Sequence, residues 1–271
     1  MLQNDFAVRV MAIINLTPDS FWSGSRSRSK NHAVKKALQA VEDGAHILDL
    51  GAESSRPGAS YVSEKEELDR LIPVIQAIRK KTSIPISVDT RRSLVLKAAV
   101  EAGASMLNDI SALEDDPEMA KLVAKLQIPL VLMHKRGEPK NMQENTAYAD
   151  VFEEVFLYLQ GRVRYALDAG IAAENIIVDP GIGFGKNLEG NRVLIQRAGD
   201  FAAVIPGRKT EVLIGASRKA SLGILTGRPV EERLVASVCA HQLAVQAGAN
   251  ILRVHDVKET IDMLRVLRGF G

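Results

Sequence analysis

Short apolar runs rich in β-branched residues alternate with longer amphipathic stretches along the whole chain. The runs fall at 10–14, 46–50, 84–88, 105–107, 129–133, 175–178, 211–214 and 250–254, and each predicts a strand. Between them, periodicity predicts helices at about 30–43, 63–81, 91–102, 116–125, 149–169, 187–205, 230–248 and 256–268. Eight strand–helix pairs without a composition break point to one α/β unit over residues 1–271, a closed (β/α)8 or TIM barrel. An open doubly wound sheet also fits, because periodicity does not register closure. Three predicted helices end alike, at Gly44, Gly103 and Gly248, each followed by Ala. A glycine there takes the left-handed cap before the next strand.

The polar residues that follow the strands carry the chemistry. Asn15 follows the first run, Asp49 closes the second, Asp89 the third, and Asn108 with Asp109 the fourth. His134 follows the fifth, Asp179 the sixth, Ser217-Arg218-Lys219 the seventh, and Arg253 with His255 the eighth. In a parallel barrel these positions meet at one rim, where active sites of this architecture sit. Helix capping accounts for some of the carboxylates, Asp109 among them. It does not account for a ring that also holds Arg, Lys and His. Such a ring suits a polar, charged substrate.

Composition narrows the classes. A length of 271 residues suits one barrel, which needs about 250, and 46% hydrophobic residues give it a large core. A formal charge of +2 gives no sign of a nucleic-acid or membrane partner. Cys239 is the only cysteine, so no disulfide forms within the chain; its apolar surroundings predict a packed thiol. Neither a secretory leader nor an apolar stretch of membrane-spanning length is evident, which predicts a cytoplasmic protein.

Several segments are specific. Segment 15–21 (NLTPDSF) opens a Ser/Arg-rich loop, read either as a cover over substrate or as a solvated connection. Segment 49–58 (DLGAESSRPG) sets two hydroxyls beside an Arg-Pro-Gly turn, a clamp for phosphate or carboxylate. Pairing of Arg56 with Glu53 or Glu64 is the alternative. Segment 179–186 (DPGIGFGK) fails the phosphate-loop pattern, because Pro180 stands six before Lys186 and Asn187 follows it. Its glycines instead suit close backbone approach, with Asp179 in the pocket. Lys219, Arg253 and His255 end the last two strands, where this fold often builds an anion site. Of Arg218 and Lys219, one points away from the site or into a salt bridge. The five histidines lack paired metal-ligand spacing. Mg²⁺ prefers oxygen donors and arrives with substrate phosphates, and Asn15 offers one such donor.

Taken in order, these segments resemble the dihydropteroate synthase family. The likeness runs through NLTPDSF, DLGAESSRPG, SVDT at 87–90, LNDI at 107–110, LMH at 132–134, and the segments at 179–186, 215–219 and 253–257. The resemblance implies condensation of 6-hydroxymethyl-7,8-dihydropterin pyrophosphate with p-aminobenzoate. It also implies Mg²⁺ as cofactor, a homodimer and sensitivity to sulfonamides. By position it implies that Asp89, Asn108, Asp179 and Lys219 hold the pterin, walled by Met133 and Phe184. Asn15, Arg253 and His255 would take the pyrophosphate with Mg²⁺, Asp49 assisting, and Ser217 joins the substrate-binding set. Phe21, Ser55, Arg56 and Pro57 would close over p-aminobenzoate. The chemistry expected is SN1-like, with Asp89 stabilising a pterin cation.

Departures from the family pattern are Ala52 for Gly, Ser55 for Thr, Trp22-Ser23-Gly24-Ser25 after Phe21, and Ala220 where many members carry Ser. A corrinoid-dependent pterin methyltransferase and a non-catalytic pterin-binding protein are the rival readings.

Overall fold

Alternation along each strand decides which side chains enter the barrel. A computed structural model describes residues 8–16, 26–53, 62–137, 141–142 and 144–270, with side chains in the first helix described from Lys30 onward. Its strands are β1 (Arg9–Asn15), β2 (Ile47–Gly51), β3 (Ile86–Asp89), β4 (Met106–Asp109), β5 (Leu130–Met133), β6 (Ile176–Asp179), β7 (Glu211–Ile214) and β8 (Ile251–Val254). All pair in parallel and in sequence order, and β8 pairs with β1, so the sheet closes. The barrel is the predicted one, and the open-sheet alternative falls.

Two populations of side chains follow from the two-residue period. Residues such as Val10, Ala12, Ile14, Leu48, Leu50 and Val88 face outward into the layer shared with the helices. Met11, Ile47, Met106, Val131, Ile177, Leu213 and Ile251 face inward and form a separate apolar cluster. One step further along each of those strands stand Ile13, Asp49, Asn108, Met133, Asp179, Gly215 and Arg253. Each polar site residue on these strands is therefore lifted by one pleat above an apolar plug. Register carries the row onward, since Asn15 pairs with Gly51, Gly51 with Asp89, and Asp89 with Asn108.

The helices are α1 (Arg26–Glu42), α2 (Glu64–Arg79), α3 (Ser93–Ala102), α4 (Met119–Leu126), α5 (Val151–Asp168), α6 (Leu188–Gln196), α7 (Ala220–Thr226), α8 (Leu234–Gln246) and α9 (Val257–Phe270). Gly44, Gly103 and Gly248 all have positive φ, as their position before a strand predicts. Several helices depart from the periodic reading. α1 begins earlier, at Arg26. α4 begins at Met119 because Asp116 accepts hydrogen bonds from the Ser93 and Glu118 amides. α6 stops at Gln196, where a tertiary contact wins: the Gly199 amide donates to the Ala247 carbonyl, and the chain continues as 3-10 turns at Ala198–Ala203. α7 was not expected, because its seven residues include a central Gly223 and show too little periodicity.

Cys239 corrects the sequence reading. Its thiol is exposed on α8, not packed. That helix mixes polar and apolar residues without a distinct polar face, so its composition does not show which face meets the barrel. No described helix is long and apolar enough to cross a membrane.

Candidate active site

Arg253, at the C-terminal end of β8, is the hub of the site. Its Nε donates to Asp49 Oδ2 at 2.6 Å, and its Nη2 donates to Asp89 Oδ2 at 2.8 Å. Asn108 Nδ2 donates to the same Asp49 oxygen at 3.2 Å. Residues from β2, β3, β4 and β8 thus share one network. Asp49 Oδ1 is buried and has no hydrogen-bond partner among the described residues.

Burial pushes the Asp89 carboxyl up to about 7; Arg253 opposes this, whereas Asp49 and Glu67 add to it. Burial also raises the carboxyl of Asp179, whose Oδ1 accepts the Gly181 amide at 2.7 Å. Lys219 is pulled down to about 8 by burial and by Arg253, and held up partly by Asp179 and Asp89. The carboxylates beside Arg253 raise its guanidinium, which stays charged. Lys219, Asp179, Asp89 and Arg253 are therefore electrostatic neighbours, as a shared cavity requires.

A cavity of about 690 Å³ opens over this floor. Asn15, Asp89, Ser217, Lys219, Arg253 and His255 line it, together with Glu53, Lys186 and Ala220. Asn108, Met133, Asp179 and Phe184 are buried around it, each between 3% and 7% exposed. Met133 and Phe184 pack with Ile110 and Met142 as an apolar wall. Lys219 Nζ sits 4.0 Å from the centre of the Phe184 ring. His255 Nδ1 lies 2.9 Å from Ser217 Oγ, and the same hydroxyl accepts the His255 amide at 3.2 Å.

The turn after β7 explains how Lys219 reaches the cavity. Arg218 adopts φ +57°, an uncommon conformation for a side chain of this size. Its side chain pairs with Asp256, Nε to Oδ2 at 3.1 Å, while its amide donates to Ser237 Oγ at 2.9 Å. Arg233 donates to the carbonyls of Arg218 and Lys219. The expected division of labour between Arg218 and Lys219 follows from these bonds.

Phe21, Ser55, Arg56 and Pro57 lie outside the described residues. Glu53 bonds to Arg91 and Arg92 and accepts the Val62 amide. Among the described residues no group of three or more His, Cys, Asp or Glu side chains is placed to cage a metal. Oxygen donors near the floor include Asn15 and Asp49 Oδ1, which has no partner among the described residues. Such a sparse all-oxygen set fits Mg²⁺, which keeps water and takes phosphate oxygens for its remaining positions.

Comparisons with known proteins decide the family. Residues 11–255 match the family described as Pterin binding enzyme. The dihydropteroate synthase of Haemophilus influenzae is 41% identical over 258 residues, covering 95% of this chain and 92% of that one. The Escherichia coli K12 dihydropteroate synthase is 43% identical over 260 residues, covering 96% and 90%. This chain belongs to the dihydropteroate synthase family. The structure of the Xanthomonas albilineans dihydropteroate synthase with 4-aminobenzoic acid superposes with a TM-score of 0.90 at 44% identity, covering 97% of this chain and 93% of that one.

Lys186 is a further residue of the site that its sequence motif does not single out. It is 2% exposed in the Gly-rich turn after β6, yet it reaches the cavity wall. The available signal was its place in a turn with three glycines, where a long cationic side chain has unpaired carbonyls close by.

Proposed function

We propose that the whole chain acts as one pterin-binding barrel that condenses 6-hydroxymethyl-7,8-dihydropterin pyrophosphate with p-aminobenzoate, giving 7,8-dihydropteroate and pyrophosphate. The observation that carries this reading is the Arg253 hub, which ties Asp49, Asp89 and Asn108 into one network beside a cavity lined by Asp89, Arg253 and Lys219. A pterin presents alternating donors and acceptors on one edge, and the buried Asn108, Asp179 and Lys219 offer complementary groups. Met133 and Phe184 supply the apolar faces for its rings.

Breaking the C–O bond to the diphosphate leaves positive charge on the pterin and negative charge on the departing oxygens. Lys219, Arg253 and His255 face the anion, and ionised Asp89 stabilises the pterin cation across the cavity. The neutral amine of p-aminobenzoate then adds to the pterin methylene and loses a proton, so no enzyme nucleophile is required. Asn15, with Asp49 assisting, is the place for Mg²⁺, which when bound offsets diphosphate charge. Placement of Phe21, Ser55, Arg56 and Pro57 around p-aminobenzoate rests on the family likeness, as does competition by sulfonamides. Exposed Val235 and Leu243 on α8 support a homodimer, and the folate-type substrates support a cytoplasmic location.

The test is pyrophosphate release from the pterin diphosphate that depends on p-aminobenzoate. Release to yield 7,8-dihydropteroate is expected; methyl transfer to a corrinoid, or binding without turnover, supports the rival readings. An SN1-like route further predicts exchange of labelled pyrophosphate into the pterin substrate with an amine-free benzoate bound. Exchange that strictly requires the amine would overturn that route.

A further inference from the structure

Lys186 Nζ lies 2.9 Å from His134 Nδ1 and donates to the carbonyls of Gly181 and Phe184, both at 2.9 Å. The His134 carbonyl lies slightly further away, at 3.3 Å. These partners belong to two segments, the turn after β6 and the end of β5. Their arrangement satisfies the nitrogen in either protonation state. An ammonium donates to both carbonyls and to the imidazole, whereas a neutral amine accepts from the imidazole N–H. Burial draws the ammonium well below its ordinary range, and the tie survives that change.

The turn is held from other sides as well. Asn191 Oδ1 accepts the Gly183 amide at 2.6 Å, and its Nδ2 donates to the carbonyls of Lys186 and Asn187. Tyr148 donates to the Gly185 carbonyl at 3.0 Å. Gly181 has φ +71°, and a Cβ there would meet the His134 carbonyl oxygen at 1.9 Å. At Gly185 a Cβ would meet the Arg136 carbonyl oxygen at 2.5 Å. The two backbones therefore lie directly against each other. Phe184, between these glycines, is the ring beneath Lys219.

We propose that Lys186 is a positioning residue for the pterin site: it knots turn 181–186 to the end of β5 and so fixes Phe184 and the Lys219 ammonium above it. This rests on the pterin-site reading. Without the knot, two carbonyls and an imidazole lose their partner, the turn relaxes and the apolar wall shifts away from the heterocycle. The effect falls on the pterin half of the reaction more than on the amine half.

The experiment compares wild type with Lys186→Met, which keeps the length and removes the donors. KM for the pterin diphosphate is expected to rise at least about tenfold, while KM for p-aminobenzoate changes less than about threefold. Amide exchange over 181–186 is expected to be faster in the variant without substrate, which reports the knot itself. Wild-type turnover in the same assay tests the underlying functional reading separately. If Lys186→Met does not fold, Asn191→Ala loosens the same turn from the other side and is expected to give the same KM split. Equal changes in both KM values, no change in either, or unaltered exchange in the folded variant overturns the proposal.

Discussion

Two carboxylates depend on one guanidinium at the centre of this molecule. Removing it by Arg253→Met leaves Asp49 and Asp89 facing each other in a buried site. The expected cost is about 3–5 kcal/mol, because a buried charge without its partner is left uncompensated. Thermal denaturation checks this, and adding Asp49→Asn is expected to restore part of the loss. Ala220 poses a smaller question at the same rim, where it lines the cavity next to Lys219. A serine there adds one hydroxyl toward the p-aminobenzoate carboxylate, a charge-assisted bond of about 1.5–3 kcal/mol. Ala220→Ser is therefore expected to lower KM for p-aminobenzoate by roughly tenfold or more; unchanged affinity counts against the contact. Individual residues were legible to very different degrees. Asp89 and Arg253 stood out because charged side chains at strand ends have few structural uses. Lys186 did not, because most of its partners are backbone carbonyls, which leave no mark on residue type.

Helix α8 shows how an element hides its orientation. It has no distinct polar face, so its sequence marks a helix but misplaces Cys239. The same helix buries His241 completely, and neither ring nitrogen has a partner among the described residues. Burial lowers that imidazole to about 4, with Asp256 opposing. Folded His241 stays neutral down to about 4, whereas the unfolded chain takes up its proton near 6.5. Stability tied to this ring is therefore whole above 6.5 and lost as pH falls toward 4. The gap of 6.5 − 4 = 2.5 is about 3 kcal/mol at most. Melting temperatures of wild type and His241→Leu are expected to diverge across this window, with the variant declining less. Parallel declines overturn the assignment. Segment 198–203 illustrates a different limit: local helical pattern yields there to one backbone bond from Gly199 to a residue 48 positions later.

Over the whole molecule, the charges at the rim titrate together. Asp89 near 7 must be ionised to support the cation, and Lys219 near 8 must be protonated to face the anion. The kcat/KM profile for the pterin diphosphate is therefore expected to rise through about 7 and fall through about 8. Lys219→Arg is expected to move the alkaline limb upward, because a guanidinium keeps its proton; an unmoved limb assigns it elsewhere. Alternation of strands and helices made the barrel readable, and the two-residue period put the site one pleat above the plug. Closure was not readable, since hydrogen bonds between β8 and β1 join residues more than 200 positions apart. The plug of Met11, Ile47, Met106 and their neighbours has a kinetic corollary. It makes the barrel a cup with a single mouth, so reactants queue. Whatever occupies the bottom must enter before whatever occupies the brim.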